Sequence, residues 1–354
     1  MKTQTLTNRA AGQSGFTLLE LLVVVTLLAI LATGALVAYD GADEKAQSSR
    51  AANTIGALDQ GVRAYRAVTG AYPNQWDNLA DPLTADQPAG VDFNGPDEVY
   101  IPSSLQNILG SLDLRTALEG VYGASTVDDD FMEDFFVERF GFDEIQHVMG
   151  TGIGTNGKVE PNRVHNEGTN PFDGTNGALE TEFGDFGGDV TFISVLASDA
   201  FDDDDDTQRL SCTVGGQSLA RVWGDTDGNG TPGQATDIAD PLVINSINDA
   251  LSTERCNLVL AVGFGGDAAQ STVDSSAGVV QAPTYTSKNV NPANQYARYI
   301  GLFLLAKGNK GNTGDGDGVE NLVDSNFLAR PRLLGFIDTE GNTIDMNIAE
   351  ATRD

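Results

Sequence analysis

From Phe16 to Tyr39 the chain reads FTLLELLVVVTLLAILATGALVAY, an apolar run interrupted by a single charge, Glu20. At 1.5 Å rise per residue such a run makes a helix of about 35 Å, enough to cross the ~30 Å hydrocarbon layer of a bilayer. After Tyr39 the pattern turns amphipathic. Ile55, Leu58, Val62 and Tyr65 recur three and four residues apart, so one stripe of the same helix can pack on a globular head. Gly70 followed by Pro73 predicts the stop near Thr69, since glycine serves a left-handed cap and proline cannot continue the ladder. If continuous, Phe16 to Thr69 forms a helix of about 80 Å.

Downstream, the hydrophobic spacing predicts further elements. Ser103 to Val121 places Leu105, Ile108, Leu109, Leu112, Ala117 and Leu118 at helical intervals after a Pro-Ser start. Asp130 to Met149 holds Phe131, Phe135, Phe136, Phe140 and Phe142 among acids, which reads as a helix burying an aromatic face. Residues 150–188, rich in Gly, Asn and Asp, read as irregular loop. From Val190 onward come short β-prone runs, VTFISVL, LARVW, NLVLAVGF, ARYIGLFLL and RLLGFI, separated by Gly- and Asp-rich turns. These predict an antiparallel sheet, with one more helix over Pro241 to Leu251. The expected class is α+β: a long amino-terminal helix and a large head. The head divides by pattern into a helical and loop-rich part, 70–189, and a β-rich part, 190–354.

Glu20 requires a reason. A charged side chain in hydrocarbon costs on the order of 2.5 to 3.5 kcal/mol even on lenient insertion scales, so such residues have partners and functions. The preceding residues 1–15 are polar, with Lys2 and Arg9 and no acid, and are expected to stay cytoplasmic. A secretory signal would have a shorter apolar core followed by a small-residue cleavage site, which this sequence lacks.

The run Gly15-Phe16-Thr17-Leu18-Leu19-Glu20 after a short basic leader resembles the prepilin processing motif of type IV pilins and type II secretion pseudopilins. Glu44-Lys45-Ala46, Ala57-Leu58, Tyr65 and Gly70-Ala71-Tyr72-Pro73 extend the resemblance over about eighty residues, where it is most similar to major pseudopilins. The resemblance implies removal of residues 1–15 by a prepilin peptidase acting after Gly15, and methylation of Phe16. It also implies pairing of Glu20 with the amino terminus of a neighbouring subunit, and export through an inner-membrane assembly platform. The implied life history is a single-pass inner-membrane protein with its head in the periplasm or outside, then a periplasmic or extracellular filament. No proline stands near Leu36 or Val37, where many family members have one.

Composition narrows the partners. The net charge is −31, which argues against nucleic acid and anionic membrane surfaces and favours cations or a salty milieu. Asp225, Asp227 and Asn229, closed by Gly230, match the opening of a calcium loop, although Thr236 stands where its last acid belongs. Asp315, Asp317 and Asp324 form a second partial match with a wrong first position. Both stretches read either as calcium sites or as solvated turns, and Asp202 to Asp206 reads as a solvated loop. Cys212 and Cys256 form no metal motif. In an exported head they read as one disulfide, the expectation here, or as two buried thiols. No nucleophile elbow, zincin motif or P-loop is present, and His147 and His165 lie in unrelated contexts, so no catalytic residue is expected. A structural filament subunit is the leading expectation. A low-copy tip subunit or adhesin with a binding head is the second.

Overall fold

In the computed structural model, the described residues are 17–80, 101–139, 141, 144–147, 180–182, 192–198, 200–201, 209–219, 223, 255–293, 295–309 and 319–353. The chain divides into two compact units, Met1–Ala46 and Gln47–Asp354. Helix α1 spans Leu18–Thr69. It ends where Gly70 takes φ +85° and donates its N–H to the Arg66 carbonyl at 2.8 Å, a left-handed cap that costs glycine little.

The head begins with strand β1 (Trp76–Asn78), then α2 (Ser103–Gln106), β2 (Leu109–Asp113), α3 (Leu114–Tyr122) and α4 (Asp129–Glu133), which continues as a π turn over Asp134–Glu138. Strands β3 (Glu144–His147), β4 (Glu180–Glu182), β5 (Phe192–Leu196), β6 (Ala200–Phe201), β7 (Arg209–Val214) and β8 (Gln217–Ser218) follow. Then come β9 (Asn257–Gly263), α5 (Gly266–Gln270), β10 (Ile300–Lys307), β11 (Val319–Leu322), β12 (Phe327–Ile337) and α6 (Ile344–Thr352).

Among the described residues the main sheet has eight strands, ordered β12-β10-β9-β1-β3-β4, with β5 on β9 and β2 on β5. Its pairs are antiparallel except β1 with β3. The second sheet orders β11-β7-β6, with β8 on β7 and β11 parallel to β7. The fold is therefore α+β with mixed sheets. Residues 70–189 and 190–354, distinct in composition, share the main sheet.

Every residue of β9 is buried, and the reason is that both faces of the sheet are covered. Leu258, Leu260 and Val262 enter one apolar cluster, whereas Val259 and Ala261 enter the other. Phe303 and Leu305 of β10 belong to the first, and Leu302 and Leu304 to the second. A strand covered on both sides reads as a continuous apolar run and not as an alternation. The first cluster receives Ala51, Ile55, Leu58 and Val62 of α1, the stripe expected from the spacing; Tyr65 is half-buried. Trp76, fully buried, stands at its centre, with ring centroids 5.1 Å from Phe264 and Phe303 and its indole N–H on the Pro73 carbonyl at 2.6 Å. Gly301 is required there, because a Cβ would lie 2.7 Å from the Trp76 ring.

The predicted helix over Ser103–Val121 is instead helix, strand and helix. Leu109–Asp113 pairs with Phe192–Leu196, and this long-range ladder overrides a spacing that fits a helix locally. Asp113 then caps α3, accepting from the Thr116 N–H at 2.9 Å. The aromatic segment is shorter than expected, ending at the π turn before β3, but it does bury its rings: Phe135 and Phe136 are buried and Phe131 packs on the cluster. Phe140, Phe142, the Pro241–Leu251 helix and most of the 150–188 loop lie outside the described residues. Helix α6, which no sequence signal flagged, starts at an N-cap Thr343 that accepts from the Met346 N–H.

Candidate functional site

Large apolar side chains of α1 from Leu18 to Leu36 are exposed, Leu18 at 83% and Leu31 at 68%. Among the described residues this is the one helix long and apolar enough to span a membrane. Its polar groups are satisfied within the helix: the Thr26 hydroxyl donates to the Val23 carbonyl at 2.9 Å and that of Thr33 to Ala29 at 2.8 Å. A hydroxyl so engaged leaves no orphan donor in hydrocarbon. The surface can therefore meet lipid or other apolar helices without a polar penalty.

Glu20 is held at the start of this helix. Its carboxylate accepts from the Thr17 N–H at 3.0 Å and from the Thr17 hydroxyl at 2.9 Å, while Thr17 Oγ1 accepts from the Glu20 N–H at 3.2 Å. This is the reciprocal Thr-x-x-Glu capping box. It satisfies two backbone donors at the helix start and places a negative charge at the positive end of the helix dipole. The carboxylate is thus partnered within one chain, yet it remains on the exposed rim of the helix, where a cationic group can exchange for Thr17. Gly15 and Phe16 lie outside the described residues.

In the head, Cys212 and Cys256 are joined by a disulfide with Cα atoms 5.4 Å apart, and both side chains are fully buried. The bridge ties β7 of the small sheet to the start of β9 of the main sheet. Beside it Glu320, buried, accepts the Cys256 N–H at 2.9 Å and the Asn309 N–H at 2.8 Å. Burial pushes its carboxyl above the usual range, against the opposing pull of those N–H groups and of Arg255. Asp338, fully buried in the turn before α6, accepts from the Glu340 and Asn342 N–H groups at 2.9 Å and from Asn347 Nδ2 at 2.8 Å. Burial raises its carboxyl too. Both carboxylates brace backbone.

Of the proposed calcium ligands, Asp225, Asp227, Asn229, Asp315 and Asp317 lie outside the described residues. Asp324 opens a short turn after β11 and accepts from the Tyr122 hydroxyl at 2.6 Å. Tyr122 is pushed up to about 12 chiefly by burial, with the bond to Asp324 adding to the shift. One Asp324 oxygen is thereby committed to Tyr122. Among the described residues no three His, Cys, Asp or Glu side chains converge as a metal site.

Sequence reasoning passed over Thr17 as a partner of Glu20, though the Thr-x-x-Glu spacing was there to be read. Glu320 and Asp338 carried no comparable local signal.

Residues 11–36 match the family model described as the prokaryotic N-terminal methylation motif. The match covers Gly15, Phe16, Thr17 and Glu20 together with most of the exposed apolar helix. No curated protein and no solved structure matches the chain. The motif marks a type IV pilin-like amino terminus of the kind a prepilin peptidase processes, and the apolar helix fits its membrane anchor.

Proposed function

We propose that this type IV pilin-like chain is a structural subunit of a helical filament, either a type IV pilus or a type II secretion pseudopilus. In this reading cleavage after Gly15 frees Phe16, and the apolar half of α1 packs among its copies as the filament core. Glu20 exchanges its Thr17 contacts for the new amino terminus of a neighbour, which sets the axial register. The carrying observation is the union of the matched motif, residues 11–36, with an apolar helix surface that is exposed from Leu18 to Leu36. A helix apolar all round is stable only in lipid or in a bundle, and the carboxylate at its start supplies a polar contact that distinguishes one stacking register from the rest.

Electron microscopy of the sheared surface fraction tests this directly, with Glu20→Leu as the control. Long filaments made mostly of this protein, and lost in the variant, are the expected result for a pilus. Short periplasmic filaments recovered only on overexpression identify a pseudopilus. Filaments equally abundant in Glu20→Leu reject the assigned role of Glu20.

A second reading has one observation in its favour: the head unit runs from Gln47 to Asp354, larger than filament packing alone demands. A low-copy tip subunit or adhesin would use that surface to bind a substrate or a partner. Abundance separates the two, since a tip subunit is a trace component of the sheared fraction.

As part of the same reading, calcium is taken up by the acidic loops around Asp225, Asp227 and Asn229 and around Asp315 and Asp317. Alternating oxygens closed by glycine support this.

A further inference from the structure

The Gly70-Ala71-Tyr72-Pro73 turn carries a side chain that the filament reading does not use. Tyr72 is buried, and its ring meets Phe303 edge to face with centroids 4.8 Å apart. Its hydroxyl reaches strand β12, where it accepts the Leu333 N–H at 3.0 Å and donates to the Pro331 carbonyl at 3.4 Å. It also accepts from the Arg66 guanidinium, which lies 4.3 Å from the centre of the same ring. A phenol oxygen has one proton to give and two lone pairs, so its whole capacity is engaged. Arg63 of α1 donates to the Leu333 carbonyl at 3.1 Å and is steadied by Asp59, whose carboxylate accepts from its Nε at 2.8 Å. Asp59, Arg63 and Arg66 recur four and three residues apart, so they share one side of the helix.

Among the described residues β12 closes one end of the main sheet, with β10 as its neighbour. The ladder between them is interrupted. Arg332 pairs with Leu304 and the next pair is Phe327 with Ala306, so residues 328–331 stand against Leu305 alone; a second shift separates Leu333 from Gly335. Where a ladder breaks, backbone groups lose their strand partners, and a strand edge with open groups is a template on which another chain adds. Pro331 brings no N–H to this stretch. Its carbonyl, and the N–H and carbonyl of Leu333, are bound by Tyr72 and Arg63. The end of α1 and the turn after it thus occupy the hydrogen-bonding positions that an added strand would use.

We propose that Tyr72 and Arg63 form an edge cap: by holding Pro331 and Leu333 they keep the heads of two copies of this chain from joining by strand addition through β12. Edge protection is thereby tied to the seating of the last turns of α1, because both capping side chains come from that helix or from the turn that ends it. The inference concerns the head and stands apart from the filament reading.

The test uses the full-length chain in detergent, with amide hydrogen exchange read at Leu333 by fragmentation mass spectrometry at low and high protein concentration. In the wild type this amide is expected to exchange slowly at both concentrations. In Tyr72→Phe/Arg63→Met its exchange is expected to quicken on the order of tenfold in dilute solution, the effect of losing one buried hydrogen bond. It is then expected to slow as concentration rises, while sedimentation shows dimers. Leu58→Ala, a core truncation that keeps both capping side chains, is expected to show no such dependence on concentration. If the double variant does not fold, Tyr72→Phe alone is read in the same way, since the ring and its packing are kept. Fast exchange at Leu333 in the wild type, or an unchanged rate in the folded variant, overturns the proposal. So does a raised rate that ignores concentration, because the opened edge then recruits no second copy. The same concentration dependence in Leu58→Ala overturns it too, by tracing association to general destabilisation.

Discussion

Asp338 and Glu20 are both carboxylates held by backbone N–H groups, yet they serve different ends because one is buried and the other lies at a helix start. Asp338 organises the turn from Glu340 to Asn342 and reaches Asn347 in α6. Replacing it with alanine leaves those donors buried and unpaired, at a cost of 1 to 3 kcal/mol for each group left unsatisfied and about 2 to 3 kcal/mol in all once the turn relaxes. Asp338→Ala is therefore expected to shift the midpoint of chemical denaturation by that amount in the detergent-extracted protein. A shift under about 0.5 kcal/mol, the range of an ordinary surface substitution, would show that the turn holds without it. Glu20 braces no folded core, and its substitution is expected to leave the same midpoint unchanged while abolishing filaments.

Helix α1 is a single element with two kinds of surface. Its large apolar side chains from Leu18 to Leu36 are exposed, whereas Ala51, Ile55, Leu58 and Val62 lie in the main cluster with Trp76 and Phe303. Truncating Leu58 to alanine removes a fully packed side chain, and such deletions cost about 2 to 5 kcal/mol. Leu58→Ala is expected to fall in that range by denaturant melt and to leave cleavage after Gly15 intact, read by amino-terminal sequencing. Loss of processing would instead couple the peptidase to the head. The strands follow a related logic: β9 and β10 read as unbroken apolar runs because helices and loops cover both faces of their sheet.

For the molecule as a whole, charge and burial set a pH dependence of definite sign. Burial raises the carboxyls of Glu320 and Asp338 above their ordinary values. A raised carboxyl binds its proton more tightly folded than unfolded. Its contribution is therefore fully present below the ordinary carboxyl value and is lost as pH rises through the raised one. Relief of self-repulsion in a chain of net charge −31 acts in the same direction. Melting temperature is expected to rise as pH falls from about 7 to about 5, with a shallower rise in Glu320→Gln. A fall over that interval would mean that the backbone N–H groups outweigh burial at both sites. Calcium provides a second whole-molecule test. Chelator is expected to lower the melting temperature and added calcium to restore it; insensitivity to both would reject a structural ion in the acidic loops.

The amino acid order alone determined the stem and its limits. A run of apolar residues with one acid, a glycine at the end of the amphipathic stretch and the contiguous Gly15–Glu20 motif are local features, and local features survive without a fold. The strand runs NLVLAVGF, ARYIGLFLL and RLLGFI were legible for the same reason: each is dense in apolar and β-branched or aromatic residues. Only tertiary structure decided that Leu109–Asp113 would leave a helical spacing to pair with Phe192–Leu196, and that Glu320 would meet the Cys256 N–H across 64 residues. Periodicity reports which face of an element is apolar, but not which distant segment will cover it. The covering partner is chosen by burial and hydrogen-bond satisfaction over the whole chain at once.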